Sequence, residues 1–273
     1  MLQKYLKYKN KYLTLKKGQI GGKLKSIGFD FLEKNFNIKK IKVKKSGKKG
    51  EKSFRIYFTY DNKFEISPWH DIPYKVNKIY NCVIEIPKRT TSKFEIATKE
   101  IHNPIKQDIK NNKLRELNIP QKWNYGAIPQ TWEDNKKPDT HTNIIGDNDP
   151  IDCVEIGSKK LKVGQVLQVK ILGILAMIDD DETDWKVICI NINDILASKI
   201  NNVTDLLKYK KNELFEIRNW FWKYKAKNEI EGPFNKFHYH GKFHGSEFAI
   251  KVIEETHQSW KKHFFKTKQR LIK

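Results

Sequence analysis

The residues with the densest chemical potential are Asp147, Asp149 and Asp152, in the stretch Gly146-Asp147-Asn148-Asp149-Pro150-Ile151-Asp152. Three carboxylates within six residues repel one another on a solvated loop. A cation relieves that repulsion, and hard oxygen ligands suit Mg²⁺, Mn²⁺ or Ca²⁺. In an extended segment Asp147 and Asp149 project to the same side. Pro150 donates nothing to a sheet ladder, so it suits a loop that enters a strand. Residues 151–156 are rich in apolar side chains and are expected to form that strand, with Asp152 at its start beside the other two acids. An EF-hand loop does not fit, because its sixth position would be Asp152 where Gly is needed and its twelfth Ser158 where Glu is needed. The plain alternative is an acidic turn that holds no metal.

Such a loop needs a scaffold, and the surrounding pattern supplies one. Residues 54–60 read as a strand, 61–63 as a turn and 64–66 as a returning strand. Two prolines fix a loop over 67–73. Further strands are expected over 80–86, 94–98, 163–178 and 187–192. Residues 110–146 are mostly irregular and rich in Pro, Asn and Trp, and so long an irregular stretch inside a domain is usually functional. Helices are expected over 203–209, 214–224 and 248–265; the last carries Ala249, Val252, Ile253 and Trp260 on one face. Short strands closed by a few helices predict a mainly β fold, a small barrel with flanking helices.

The 38% hydrophobic and 12% aromatic content is enough for a core in a chain of 273 residues. No run approaches the ~20 apolar residues of a membrane span, and no apolar stretch behind the basic N-terminus argues for a secretory signal. Cys82, Cys153 and Cys189 are far apart, form no CxxC pair, and read as reduced core residues of an intracellular protein. The net charge of +22 is uneven: residues 1–52 hold 17 Lys against 3 acids. Leu2, Tyr5, Leu6, Tyr12 and Leu13 predict an amphipathic basic helix over 1–17, ended by Gly18 and Gly21-Gly22. Gly47 and Gly50 mark a turn or link, and Ile41 with Val43 predict one short edge strand. We therefore divide the chain into a basic extension, 1–52, and a main domain, 53–273. The extension is expected to meet a polyanion such as nucleic acid.

The acidic stretch closely resembles the D-(G/N/S)-D-P-(hydrophobic)-D signature of family I soluble inorganic pyrophosphatases. Other blocks follow in that family's order: Cys82-Val83-Ile84-Glu85-Ile86-Pro87, the run from Asn124 to Asp134, Thr183-Asp184-Trp185-Lys186, and Trp222-Lys223-Tyr224-Lys225. The resemblance is to the eukaryotic type and covers residues 53–262. It implies an OB-like five-stranded barrel with flanking helices and Mg²⁺-dependent hydrolysis of pyrophosphate, with several ions bound and Mn²⁺ able to substitute. The residue types suit that chemistry: cations neutralise phosphoryl oxygens and activate water, carboxylates hold the cations, and Lys, Arg and Tyr hold the phosphoryl groups. By resemblance, Asp147, Asp152 and Asp184 ligate metal, with Asp179, Glu85 and Glu95 as further metal carboxylates. Asp149 matches the residue that deprotonates the attacking water, and Tyr125 a hydroxyl that tunes it or faces phosphate. Lys93, Arg115, Lys186, Tyr224 and Lys225 match the phosphate-binding set. The N-terminal segment resembles tags on proteins of giant DNA viruses, which would place the protein in a host cytoplasm or virion.

The chain departs from eukaryotic relatives in a shorter segment between Arg115 and Asn124 and in Lys88-Arg89, which stands where they carry Arg-Trp used in dimer contacts. Assembly is therefore left as monomer or homo-oligomer. His238, His240 and His244 lack the spacing of a zinc site and read as a surface hairpin. Two rival functions remain at this point: a hydrolase of polyphosphate or nucleotides, and an OB-like nucleic-acid-binding protein without catalysis.

Overall fold

A computed structural model describes residues 25–26, 36–226 and 230–265. The helix expected over 1–17 lies outside them. In chain order the backbone forms β1 (Lys25–Ser26), β2 (Ile41–Ser46), β3 (Arg55–Tyr60), β4 (Phe64–Ile66), β5 (Lys75–Val76), β6 (Ile79–Ile86), β7 (Phe94–Ile96) and β8 (Ile105–Gln107). A two-stranded ribbon, β9 (Ile109–Lys110) and β10 (Lys113–Leu114), precedes β11 (Asn124–Ala127), β12 (Asp152–Glu155), β13 (Val166–Asp179) and β14 (Glu182–Asn191). Helices α1 (Val203–Tyr209) and α2 (Glu213–Lys223) follow. The short strands β15 (Lys236–Phe237) and β16 (His244–Gly245) come next, and then α3 (Ser246–Trp260), which ends in a wider turn over Lys261–Phe265.

Strand β6 pairs with β11, β11 with β12, β12 with β14, β14 with β13, and β13 again with β6. The pairings return to their start, so five strands close a ring, the expected OB-like barrel. Of these, β6 and β14 are rich in β-branched residues and buried along most of their length, as central strands require. Side-chain alternation sorts the two sides. Cys82, Ile84, Cys153, Trp185 and Val187 fill one apolar cluster together with Ala249, Val252 and Ile253 of α3. Val154, Ile188 and Ile190 face the other way and pack under α1 and α2 through Leu206, Ile217, Trp220 and Phe221. Helix α1 is started by a capping box in which Asn202 and Asp205 exchange hydrogen bonds with the backbone.

The second sheet, β1-β4-β3-β8-β7 with β2 on the free side of β3, packs beside the barrel over Phe54, Ile56, Phe58 and Val83. Strand β2 pairs with β3 along its whole length, from Ile41 opposite Tyr60 to Ser46 opposite Arg55. The last part of the basic segment is thus built into this sheet. Among the described residues no helix is long and apolar enough to cross a membrane.

Three expectations change. Strand β14 starts at Glu182 rather than near Val187, because Asp184 and Lys186 sit opposite Met177 and Leu175 in the ladder with β13. Cross-strand pairing outweighs local charge there. The β13–β14 turn is made by Asp180 and Asp181, both with positive φ (50° and 63°), as a two-residue hairpin needs. Second, Cys82 and Cys153 are joined as a disulfide, and only Cys189 of the three is free. The pair is 71 residues apart in sequence. The two come together because β6 and β12 both flank β11, where Gly126 lies opposite Cys153. Third, the histidine segment is not the expected hairpin: β15 and β16 both run antiparallel to β13 along one edge, Phe237 opposite Met177 and His244 opposite Ile174, as one edge strand interrupted by a tight turn over His238–Gly241.

Candidate active site

A cleft of ≈ 300 Å³ opens on the outer wall of the barrel, between β7, the β13–β14 turn and the end of α2. All thirteen side chains selected from the sequence line it. Nine carboxylates and four cationic groups meet there, a formal excess of five negative charges. Such an excess in a partly desolvated cleft calls for added cations.

The acidic loop is positioned by its backbone. Gly146 lies so close to Glu133 that a Cβ would sit 2.4 Å from the Glu133 carbonyl carbon. The Asn148 amide donates to the Glu133 carbonyl at 3.0 Å and the Glu133 amide to the Asp149 carbonyl at 2.9 Å. The Asp147 carboxylate accepts the Asp149 amide at 3.0 Å. Asn148, with φ of 74°, turns the chain between them, and the Trp132 indole donates to its side-chain oxygen at 3.1 Å. Asp152 begins β12 and lies opposite Lys186 of the parallel strand β14. Asp184, two residues earlier on β14, shares that face.

The Lys186 ammonium lies at the centre of the cleft. It is 2% exposed and contacts Asp152 at 2.5 Å, Tyr125 at 3.0 Å and Asp184. The Tyr125 hydroxyl donates in turn to Asp152. Burial alone would strip the proton from Lys186, but Asp152 and Asp184 outweigh it and hold its pKa well above the usual lysine value. Burial and the nearby Asp152 push the Tyr125 hydroxyl up.

At the α2 side, Tyr224 donates to Asp179 at 3.0 Å, and Lys225 pairs with Asp179 and, at 3.0 Å, with Asp180. On the β7 side, Lys93 meets Glu95 at 2.9 Å and Asp108 at 3.4 Å, while Arg115 donates to the same Asp108 carboxylate oxygen at 3.0 Å. Asp108 therefore ties two cations together. Burial opposes its charge, yet Lys93 and Arg115 hold its pKa below the ordinary range. Glu85 accepts the Ile96 amide at 2.6 Å, and burial with Asp152 nearby raises its pKa strongly.

The acids respond to one another. Burial first, then Asp184 and Asp149, raises Asp147 well above the usual carboxylate range. Asp184 is pushed up to about 8, chiefly by burial, with Lys186 opposing and Asp152 adding. Asp149 is pushed up to about 6 by burial, Glu95 and Asp152, and accepts only a long contact, 3.4 Å, from Thr98. These are the signs expected of carboxylates gathered for a divalent ion.

Two functional residues escaped sequence reasoning. Asp108 sits between β8 and β9 with no local motif. Glu133 is 3% exposed; one oxygen accepts the Trp185 amide at 2.9 Å, and the other has no partner. Glu133, Asp147 and Asp184 bring carboxylate oxygens within 4.8 Å of one another. An orphaned buried oxygen beside two more carboxylates fits a hard divalent cation, so the donor set passes the test its chemistry imposes. The one signal was an acid directly after Thr131-Trp132, which only the folded loop makes meaningful.

Comparison with known proteins follows the same line. The inorganic pyrophosphatase family pattern matches residues 82–261. The mouse "Inorganic pyrophosphatase 2, mitochondrial" is 47% identical over 231 residues, covering 76% of this chain and 69% of the relative. The Dictyostelium discoideum inorganic pyrophosphatase is 45% identical over 222 residues, 80% of this chain and 78% of the relative. Among solved structures, an N-terminally truncated vacuolar soluble pyrophosphatase from Trypanosoma cruzi, in complex with PPi, superposes with a TM-score of 0.76 at 43% identity. It covers 81% of this chain and 89% of that one. The chain belongs to the family I inorganic pyrophosphatases.

Proposed function

We propose that this protein hydrolyses inorganic pyrophosphate to two phosphates in the cleft between β7, the β13–β14 turn and α2. The observation that carries the reading is the meeting of the thirteen side chains in one cleft, acids and cations interleaved. Asp147, Asp152 and Asp184 are assigned to metal, with Asp179, Glu85 and Glu95 around them and Glu133 behind. Oxygen-only donors favour Mg²⁺, with Mn²⁺ substituting. Bound divalent cations would neutralise phosphoryl oxygens and lower the pKa of water.

The chain's own groups supply the rest. Asp149, with a pKa raised to about 6, is a carboxylate at neutral pH yet basic enough to take a proton from attacking water. Tyr125, hydrogen-bonded between Lys186 and Asp152, holds that side of the cleft. Lys93 and Arg115, tied by Asp108, grip one phosphoryl group. Lys186, Tyr224 and Lys225 grip the other and stabilise the leaving phosphate. Substrate oxygens would replace the carboxylate partners that Lys186 and Lys225 now have. The basic extension, 1–52, is read as a localisation segment of the giant-virus type that contacts a polyanion. The enzyme is then cytoplasmic in a host cell, or virion-borne.

The test is phosphate release by Asp149→Asn. The reading expects a loss of turnover with pyrophosphate binding retained. Unchanged turnover would remove Asp149 from the base role.

A further inference from the structure

A second groove, of ≈ 360 Å³, lies on the far side of Phe94 from the catalytic cleft; Phe94 lines both. Its two banks are basic. The β2–β3 hairpin contributes Lys45 and Lys49, and the loop before β13 contributes Lys160 and Lys162. All four are exposed. Among the described residues, no carboxylate lines the groove. On the loop bank, Leu161 is buried between Lys160 and Lys162, which sends both ammonium groups outward. The floor is apolar, made by the buried Phe54, Ile56 and Phe94.

Lysines often guard an edge strand against pairing with another chain. That accounts for Lys45 on β2 but not for Lys160 and Lys162, which belong to a loop. Four cations on a groove that no described carboxylate lines repel one another, and an anionic occupant relieves this. The banks hold lysine and no arginine. Lysine acts as a point charge on phosphate, whereas a run of carboxylates would be better matched by guanidinium forks. The floor side chains are already covered, so the lysine banks carry the contact, and a groove of ≈ 360 Å³ admits one strand rather than a duplex.

We propose that this groove binds single-stranded nucleic acid, with its phosphates along the two lysine banks and its bases turned outward. It is a separate surface from the catalytic cleft, and it joins Lys45 and Lys49 of the basic segment to Lys160 and Lys162 of the main domain. Its place one side chain from the cleft has a chemical sense that rests on the pyrophosphatase reading. Nucleotidyl transfer onto a nucleic acid releases pyrophosphate, so a strand held here keeps the enzyme where that product forms.

The test uses the full chain and a fluorescein-labelled oligothymidylate of about 20 nucleotides, longer than one groove's expected site. Binding is followed by anisotropy over a salt series. Replacing Lys45, Lys49, Lys160 and Lys162 together by Gln should weaken binding by roughly tenfold or more at 0.1 M salt and reduce the log–log salt slope by about 3, near 0.7 per lost phosphate contact. Pyrophosphate turnover should stay at the parent level, which shows that the variant is folded and keeps the two readings separable. A control with Lys78, Lys199, Lys208 and Lys261 replaced by Gln carries the same charge change elsewhere and should keep the parent slope. Equal loss in the control, an unchanged slope in the groove variant, or no binding by the parent would each overturn the proposal. So would loss of poly-glutamate binding in the groove variant with oligonucleotide binding intact, which would make the partner an acidic protein.

Discussion

Loading the cleft with Mg²⁺ should release protons, and the amount follows from the structure. Asp184 has a pKa of about 8 and Asp149 one of about 6. At pH 7 the first is about nine-tenths protonated and the second about one-tenth, so cation binding, which requires carboxylates, releases about one proton from these two. Asp147 and Glu133, also raised, add to that number. The sign for stability is fixed by the direction of the shifts. A carboxylate raised above its ordinary value of 3.8 stabilises the fold at low pH and loses that contribution as pH climbs through its folded value. Metal-free protein should therefore weaken between pH 4 and 8, and Mg²⁺ should restore more as pH rises. For one proton with a pKa near 8, apparent affinity gains about fiftyfold from pH 6 to pH 8, or about 2 kcal/mol at fixed excess Mg²⁺. In a domain of this size that is a Mg²⁺-induced rise in Tm larger by about 4–8 °C at pH 8 than at pH 6. Calorimetric titration in two buffers of different protonation enthalpy counts the protons, and scanning calorimetry reads Tm. Release of less than about 0.2 proton at pH 7, with equal Tm increments at both pH values, would refute the reasoning.

Other expectations follow from the same site. Asp152→Asn and Asp184→Asn should each reduce turnover by roughly 10²-fold or more, because each takes from the cleft a metal carboxylate that also holds Lys186; steady-state kinetics decides. Glu133→Gln should weaken Mg²⁺ binding about 10–100-fold, read by titration, since it touches the cluster from behind. Mn²⁺ should support some activity and Ca²⁺ should inhibit, as the larger ion tolerates loose geometry and does not align nucleophile and phosphorus; full activity in Ca²⁺ alone contradicts the oxygen-donor account. Deleting residues 1–24 should leave turnover within a few-fold and reduce polyanion binding, as every cleft residue lies beyond residue 84.

Much of the site was legible because its residues sit in short blocks whose order and spacing are distinctive. Asp147, Asp149 and Asp152 share a loop, and Asp184 and Lys186 fall in the block Thr183-Asp184-Trp185-Lys186. The barrel was legible for the same reason: β6 and β13 are β-branched runs that read as strands in isolation. What stayed hidden depends on tertiary approach. Asp108 matters only because β8 carries it against Lys93 and Arg115. Glu133 matters only because the glycine at 146 lets two backbones touch. The early start of β14 and the Cys82–Cys153 pair are likewise products of strand neighbours far apart in sequence. Phe94 read as an ordinary strand residue, and its position between two cavities is visible only in three dimensions.

The most direct test of the central claim is phosphate release from pyrophosphate with Mg²⁺, with and without EDTA, beside tripolyphosphate and ATP. The account predicts rapid release from pyrophosphate that EDTA abolishes, with much slower release from the two longer substrates. Release that survives EDTA, or a preference for tripolyphosphate or ATP, would contradict it.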